Sequence, residues 1–234
     1  MKSDFLANVS HDLRTPLTGL HLALSRLLEP DLRYDGEQVR ECLQIALEEV
    51  DRLSARVGNL LEMSRLEADA WTLRKEPADL TEIVASALAR MRAFLRETEI
   101  TAEFPPEPLL AECDPGQIET VLVNLLENAL KYASPGASGS SPGKPLHLSG
   151  ERQDDRVIIV VRDRGPGIAP GDEKRVFEKF YRGGGTSGAR GTGLGLAICK
   201  AVLDLHGGSI GVRNAPGGGA EFWFSLPALP EMPR

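Results

Sequence analysis

The 234-residue sequence predicts two parts of different class: a helical hairpin over residues 1–70 and an α/β domain, helices over one sheet, over residues 71–234. Two long apolar stripes with helical spacing predict the first part, and strand and helix patterns interleaved after Trp71 predict the second. The composition, 41% hydrophobic and 26% charged, suits a globular chain with one sizeable core and a smaller element.

The first stripe is Leu6, Val9, Leu13, Leu17, Leu20, Leu24 and Leu27, spaced by three and four residues. At about 100° per residue, His11 falls almost opposite it, facing solvent beside Asp12. Pro16 cannot donate to the Asp12 carbonyl, so a kink is expected just below His11. Pro30 and Tyr34-Asp35-Gly36 supply stop and turn signals. A second helix follows, with Val39, Leu43, Ala46, Val50, Leu53, Val57 and Leu60 forming a heptad seam. Two helices alone cannot bury stripes this long, so a homodimeric four-helix bundle is the economical solution; packing against the rest of the chain is the alternative.

In the second part, Trp71–Lys75 reads as a strand, Asp79–Glu97 as a helix, and Asp114–Tyr132 as a helix opened by an Asp cap with Pro at the first position. Ser134–Pro145, rich in Ser, Gly and Pro, reads as a flexible surface loop. Strands are expected at Leu146–Ser149 and Val157–Arg162, a helix at Leu194–His206, and strands at Ser209–Asn214 and Ala220–Leu226.

The net charge of −7, without a dense Lys/Arg cluster, argues against nucleic acid as a partner. Cys42, Cys113 and Cys199 are far apart and in no metal-ligand spacing, which suits a reduced, cytoplasmic chain. No apolar run approaches the roughly 20 residues that span a bilayer, so any membrane anchor of a parent protein is expected outside this chain.

The neighbours of His11 suit an imidazole that attacks phosphorus. Asp12 can accept one ring N–H and leave the other nitrogen's lone pair free, and Thr15, one turn on, can orient a water. Taken alone, the pair reads equally well as a solvated surface pair. Four later segments together look built for ATP. On a helix, Asn124, Asn128 and Lys131 share a face ending at Tyr132: amide oxygens suit Mg²⁺, and Lys131 suits phosphate. Such spacing is also common on solvated faces. Asp163-Arg-Gly165-Pro-Gly167-Ile168 follows a strand; its carboxylate can accept the adenine amino hydrogen, although the pattern is often just a turn. Phe177 and Phe180 can anchor a loop from which Arg182 reaches a terminal phosphate, and a plain core role suits the rings as well. Gly191-Thr192-Gly193-Leu194-Gly195 enters a helix whose free amides suit phosphate oxygens, and the stretch between Ala169 and Arg190 can act as a lid.

In this order the five segments resemble the catalytic core of bacterial sensor histidine kinases: histidine box, asparagine box, two glycine boxes and the aromatic box between them. The resemblance covers about Phe5 to Leu226. It implies a dimerising phosphoacceptor hairpin and an ATP-binding α/β sandwich of the type shared with gyrase-like ATPases. It further implies phosphorylation of His11 and transfer to an aspartate on a response regulator receiver domain, with the sensor region absent from this chain. Asp12 is then the kinase base, Thr15 the phosphatase residue, Asn128 the Mg²⁺ ligand and Asp163 the adenine contact. Asp12 stands where Glu is commoner, which shortens its reach. Asn124 stands where the hydrolytic relatives carry a water-activating glutamate. The runs around His11, Asn124 and Gly193 look like the Kdp-type, potassium-responsive kinases. His21, His147 and His206 lack comparable context and read as structural or solvated.

Overall fold

The structure is a computed structural model that describes residues 16–28, 35–67, 72–92, 94–95, 98–133, 143–181 and 193–230. The chain divides into two compact units, one built on Met1–Asp69 and the other on Ala70–Ala189 and Gly193–Arg234.

In the first unit, helix α1 is described over residues 16–27 and helix α2 over Gly36–Glu67. Asp35 and Gln38 cap α2 reciprocally: the Gln38 N–H donates to Asp35 Oδ1 at 2.8 Å and the Asp35 N–H to Gln38 Oε1 at 3.1 Å. The helices run side by side where Gly19 meets Glu49; a Cβ on Gly19 would lie 3.3 Å from Glu49 Cγ. Ala23, Cys42 and Ala46 are buried. The heptad residues of α2 divide between two surfaces, Ala46 buried within the hairpin but Leu43, Val50 and Val57 exposed at 51%, 41% and 39%.

The second unit holds β1 (Glu76–Asp79), α3 (Leu80–Arg90), β2 (Thr98–Glu103), β3 (Leu110–Cys113), α4 (Pro115–Ala133), β4 (Gly143–Gln153), β5 (Arg156–Arg162), a 3₁₀ turn (Arg175–Phe177), α5 (Gly195–Leu205), β6 (Ser209–Asn214) and β7 (Ala220–Pro227). The five-stranded sheet has the order β2-β4-β5-β7-β6; β2 runs parallel to β4 and the other pairs are antiparallel. A separate antiparallel pair joins β1 to β3. Along β5 every second residue is buried: Val157, Ile159 and Val161 face the same way as Phe222, Phe224 and Leu226 of β7. That period, carried one step past the strand, sends Asp163 to the buried side as well.

Three sequence expectations are corrected. The strand expected at Trp71–Lys75 starts at Glu76, because Pro77 and its polar neighbours form a short edge pair with β3. The helix expected to reach Glu97 ends at Arg90 with Met91 as its C-cap. Met91 and Leu95 are both buried at helical spacing although the backbone has turned, which explains the over-long reading. Strands β2 and β3 were not foreseen; both are short and Glu-bearing, so their alternation is faint.

His206, just past α5, ties that end of the unit together. Its Nδ1–H donates to the Val202 carbonyl at 2.7 Å, and Nε2 accepts the Asp114 N–H at 3.0 Å, so the neutral ring couples α5 to the start of α4. Burial pushes this imidazole below its ordinary value, aided by the Lys75 charge and opposed by the Val202 bond and Asp114. The unfolded chain therefore takes up a proton first as the pH drops. The stabilisation is complete above about pH 6.5 and is lost as the pH falls through the lowered folded value. Acidification from about pH 7.5 to about pH 5.5 is expected to lower the melting temperature more steeply in the wild type than in His206→Gln. Equal slopes would assign the acid sensitivity to other groups.

Candidate nucleotide site

The site grows from α4 and the three loops around it. Asp114 caps α4, its Oδ1 accepting the Gln117 N–H at 3.2 Å and its Oδ2 the Arg74 N–H at 3.0 Å. The apolar stripe Ile118, Val121, Leu122, Leu125, Leu126 and Ala129 is wholly buried, so the polar positions between have fixed directions. Asn124 Nδ2 donates back to the Thr120 carbonyl at 3.0 Å. Its Oδ1 lies against Gly195, the first residue of α5, where a Cβ would come within 2.9 Å of it. Asn128 is half-buried on the same face. Lys131 is exposed and turned onto its neighbour, with Nζ 3.3 Å from the Tyr132 hydroxyl and 4.7 Å from the ring centroid.

Asp163, 3% exposed, organises the loop after β5. Its Oδ1 accepts two backbone N–H groups, Gly165 at 2.7 Å and Ala220 at 3.0 Å, while its own N–H donates to the Ala220 carbonyl at 2.9 Å. Oδ2 has no hydrogen-bond partner among the described residues. A buried carboxylate held by one oxygen leaves the other to satisfy a ligand's N–H. Gly165 lies against the Tyr132 carbonyl, which brings this loop onto the end of α4.

The aromatic segment and the second glycine segment also meet. Phe177 is buried edge-on against Phe222, with ring centroids 6.5 Å apart, so it is a core anchor. Phe180 adopts a left-handed backbone, φ 64°, and donates its N–H to the Gly193 carbonyl at 3.0 Å. Leu194 precedes α5 with its side chain in the core, so that side chain does not cap the helix. Among the described residues, the N-cap of α5 offers the helix amides no side-chain acceptor of the kind that Asp79 and Asp114 give α3 and α4. His11, Asp12, Thr15, Arg182, Gly191 and Thr192 lie outside the described residues.

Residues 113–230 match the family of histidine kinase-, DNA gyrase B- and HSP90-like ATPases, and residues 1–69 match the His Kinase A (phospho-acceptor) domain. The chain belongs to the sensor histidine kinases. Among its relatives, the sensor protein KdpD of Escherichia coli is 40% identical over 235 residues, covering 99% of this chain and 25% of the relative. The alginate biosynthesis sensor protein KinB of Pseudomonas aeruginosa is 38% identical over 97% of this chain and 37% of its own length. The chain thus spans well under half the length of these relatives. The likeness to the Kdp type holds, and this chain is similar to KinB at nearly the same identity. The solved structure of the histidine kinase AdeS from Acinetobacter baumannii superposes with a TM-score of 0.69 at 27% identity, covering 93% of this chain and 97% of that one.

The sequence reading missed Asn214, Gly219 and Ala220 on the β6–β7 hairpin, which hold the Asp163 loop from its other side. The run Gly217-Gly218-Gly219 was the available signal.

Proposed function

We propose that this chain is the catalytic core of a homodimeric sensor kinase. Residues 1–70 dimerise and present His11, and residues 71–234 bind ATP. The observation that carries this reading is Asp163, a buried carboxylate with one oxygen committed to the backbone and the other left for the adenine amino hydrogen. Asn124, Asn128, Lys131 and the start of α5 extend from there as a strip of donors and amide oxygens suited to a triphosphate. Gly165, Gly167 and Ile168 line the base, Tyr132 closes the end of α4, and Phe180, Gly193, Leu194 and Gly195 carry the segment that runs to Arg182, Gly191 and Thr192.

When bound, Mg²⁺ would offset phosphate charge. Asn128 would hold the ion through its amide oxygen, a hard donor of the kind Mg²⁺ prefers. The imidazole of His11 attacks the γ-phosphorus, ADP leaves, and a phosphoramidate forms, with Asp12 holding the ring and taking its proton. The phosphoryl group then passes to an aspartate carboxylate of a response regulator, and Thr15 orients water to hydrolyse that aspartyl phosphate to aspartate and inorganic phosphate, the phosphatase reaction. Leu43, Val50 and Val57, exposed at seven-residue intervals with Leu17 and Leu24 on α1, support a second copy as the partner of the hairpin. No described helix is long and apolar enough to cross a membrane.

Incubation with γ-labelled ATP should give acid-labile, alkali-stable label on the chain. Released phosphate with no bound label would make it a hydrolytic ATPase, and neither product would make it a nucleotide-gated dimerisation module. Asp163→Asn is expected to weaken ATP binding by about 1 to 3 kcal/mol and to narrow the preference over GTP, because the amide presents a donor to the adenine amino group. An unchanged ATP/GTP ratio in competition binding would remove Asp163 from this role.

A further inference from the structure

We propose that Asn214, the last residue of β6, is a positioning residue that sets the Gly165–Ile168 loop for reading the base, an inference that rests on the nucleotide site described above. Its Oδ1 accepts the Ile168 N–H at 2.7 Å and its Nδ2 donates to the Ile168 carbonyl at 2.9 Å. One side chain thus satisfies both polar backbone groups of a loop residue 46 positions away. Only a primary amide offers a donor and an acceptor side by side in this space; a carboxylate offers two acceptors, and an aliphatic group neither.

The same amide fills the volume beside Gly167. There the backbone has φ +80°, and a Cβ would lie 2.5 Å from Asn214 Oδ1, so amide and glycine require each other. Asn214 also pairs with Ala220 in the β6–β7 ladder, and Ala220 is the residue that exchanges hydrogen bonds with Asp163. The loop and the base-reading carboxylate therefore hang on one rung of the sheet. The Ile168 bonds are solvent-accessible, so their loss costs little folding stability while freeing the loop to shift.

The test uses calorimetric ADP titration of the full chain carrying Asn214→Ala, Asn214→Asp, Asp163→Asn and the Asn214→Ala/Asp163→Asn double change. Asn214→Ala is expected to weaken ADP about tenfold with the ligand-free melting temperature lowered by only a few degrees. Asn214→Asp, although isosteric, should do at least as badly, because a carboxylate oxygen then faces the Ile168 carbonyl. The double variant should bind no more than about twofold more weakly than Asp163→Asn alone. Asn214→Ala should also narrow the preference for ATP over inosine triphosphate, which lacks the amino group; a merely loosened fold would weaken both nucleotides alike. Wild-type ADP affinity in Asn214→Ala, multiplicative losses in the double variant or an unchanged ATP/inosine triphosphate ratio would each overturn the proposal. If Asp163→Asn alone leaves ADP affinity unchanged, the base-reading role of Asp163 fails, while Asn214→Ala still decides whether the loop is positioned by the amide.

Discussion

Gly219→Ala is expected to abolish measurable nucleotide binding and to destabilise the second unit by about 3 to 5 kcal/mol, combining backbone strain with overpacking. Gly219 has φ +94°, and a Cβ there would fall inside the Asp163 carbonyl oxygen, 2.7 Å from the Asp163 carbonyl carbon and 2.9 Å from Arg164 Cα. These are backbone atoms of the loop that carries the buried carboxylate, so no rotamer change can make room. Either the hairpin or the Asp163 loop must move, and either movement breaks the paired bonds between Asp163 and Ala220. Gly218→Ala is the matched control. Its φ of +96° imposes similar strain, but nothing lies within 4 Å of the added carbon. It should lose about 1 kcal/mol of stability and keep its ADP affinity. Thermal melts and ADP titrations of the two variants side by side decide the matter, and equal behaviour would mean that strain alone limits this turn.

His11→Gln is expected to eliminate acid-labile label while leaving ADP affinity within about twofold of wild type and the dimer intact. Glutamine is polar, of similar reach and a good helix former, so it suits the helix that the sequence predicts there. Its amide nitrogen has no available lone pair to attack phosphorus. The proposed nucleotide groups belong to the second unit, and the exposed residues that suit dimer contact, Leu17, Leu24, Leu43, Val50 and Val57, do not include His11. The hairpin contains one other histidine, His21, which is exposed and 3.2 Å from the Ser25 hydroxyl through Nδ1. Residual label in His11→Gln that vanishes on further replacement of His21 would move the acceptor one stretch down the helix.

How much of this was readable from residues depended on whether the signal was local. The Asp114-Pro115 start of α4 and the alternation of β5 appear where the sequence puts them, because caps and period-two burial are written in neighbouring residues. The Asp163 and Gly193 segments were legible as glycine-rich punctuation after a strand and before a helix. Asn214 was not, since one amide at a strand end has no spacing to betray it; its partner is supplied by the β5–β7–β6 ladder. His206 was read as structural or solvated, and it is structural, buried with both ring nitrogens engaged. The division of the α2 heptad into inward Ala46 and outward Leu43, Val50 and Val57 needed the actual position of α1.

All three cysteines are reduced and buried, Cys42 in the hairpin and Cys113 and Cys199 in the second unit. Burial, with Asp114 and Glu76 close by, pushes the Cys113 thiol up to about 11, and the Cys199 thiol lies 3.7 Å from the Val121 carbonyl. The native protein therefore offers alkylating reagents neither access nor, at Cys113, a thiolate, and each thiol becomes reactive only when its surroundings open. The chain carries a built-in set of clocks. Cys42 times the breathing of the hairpin, while Cys113 and Cys199 time the opening around β3 and α5. The two units can thus be followed separately in one tube, with no engineered label and no disturbance of the site.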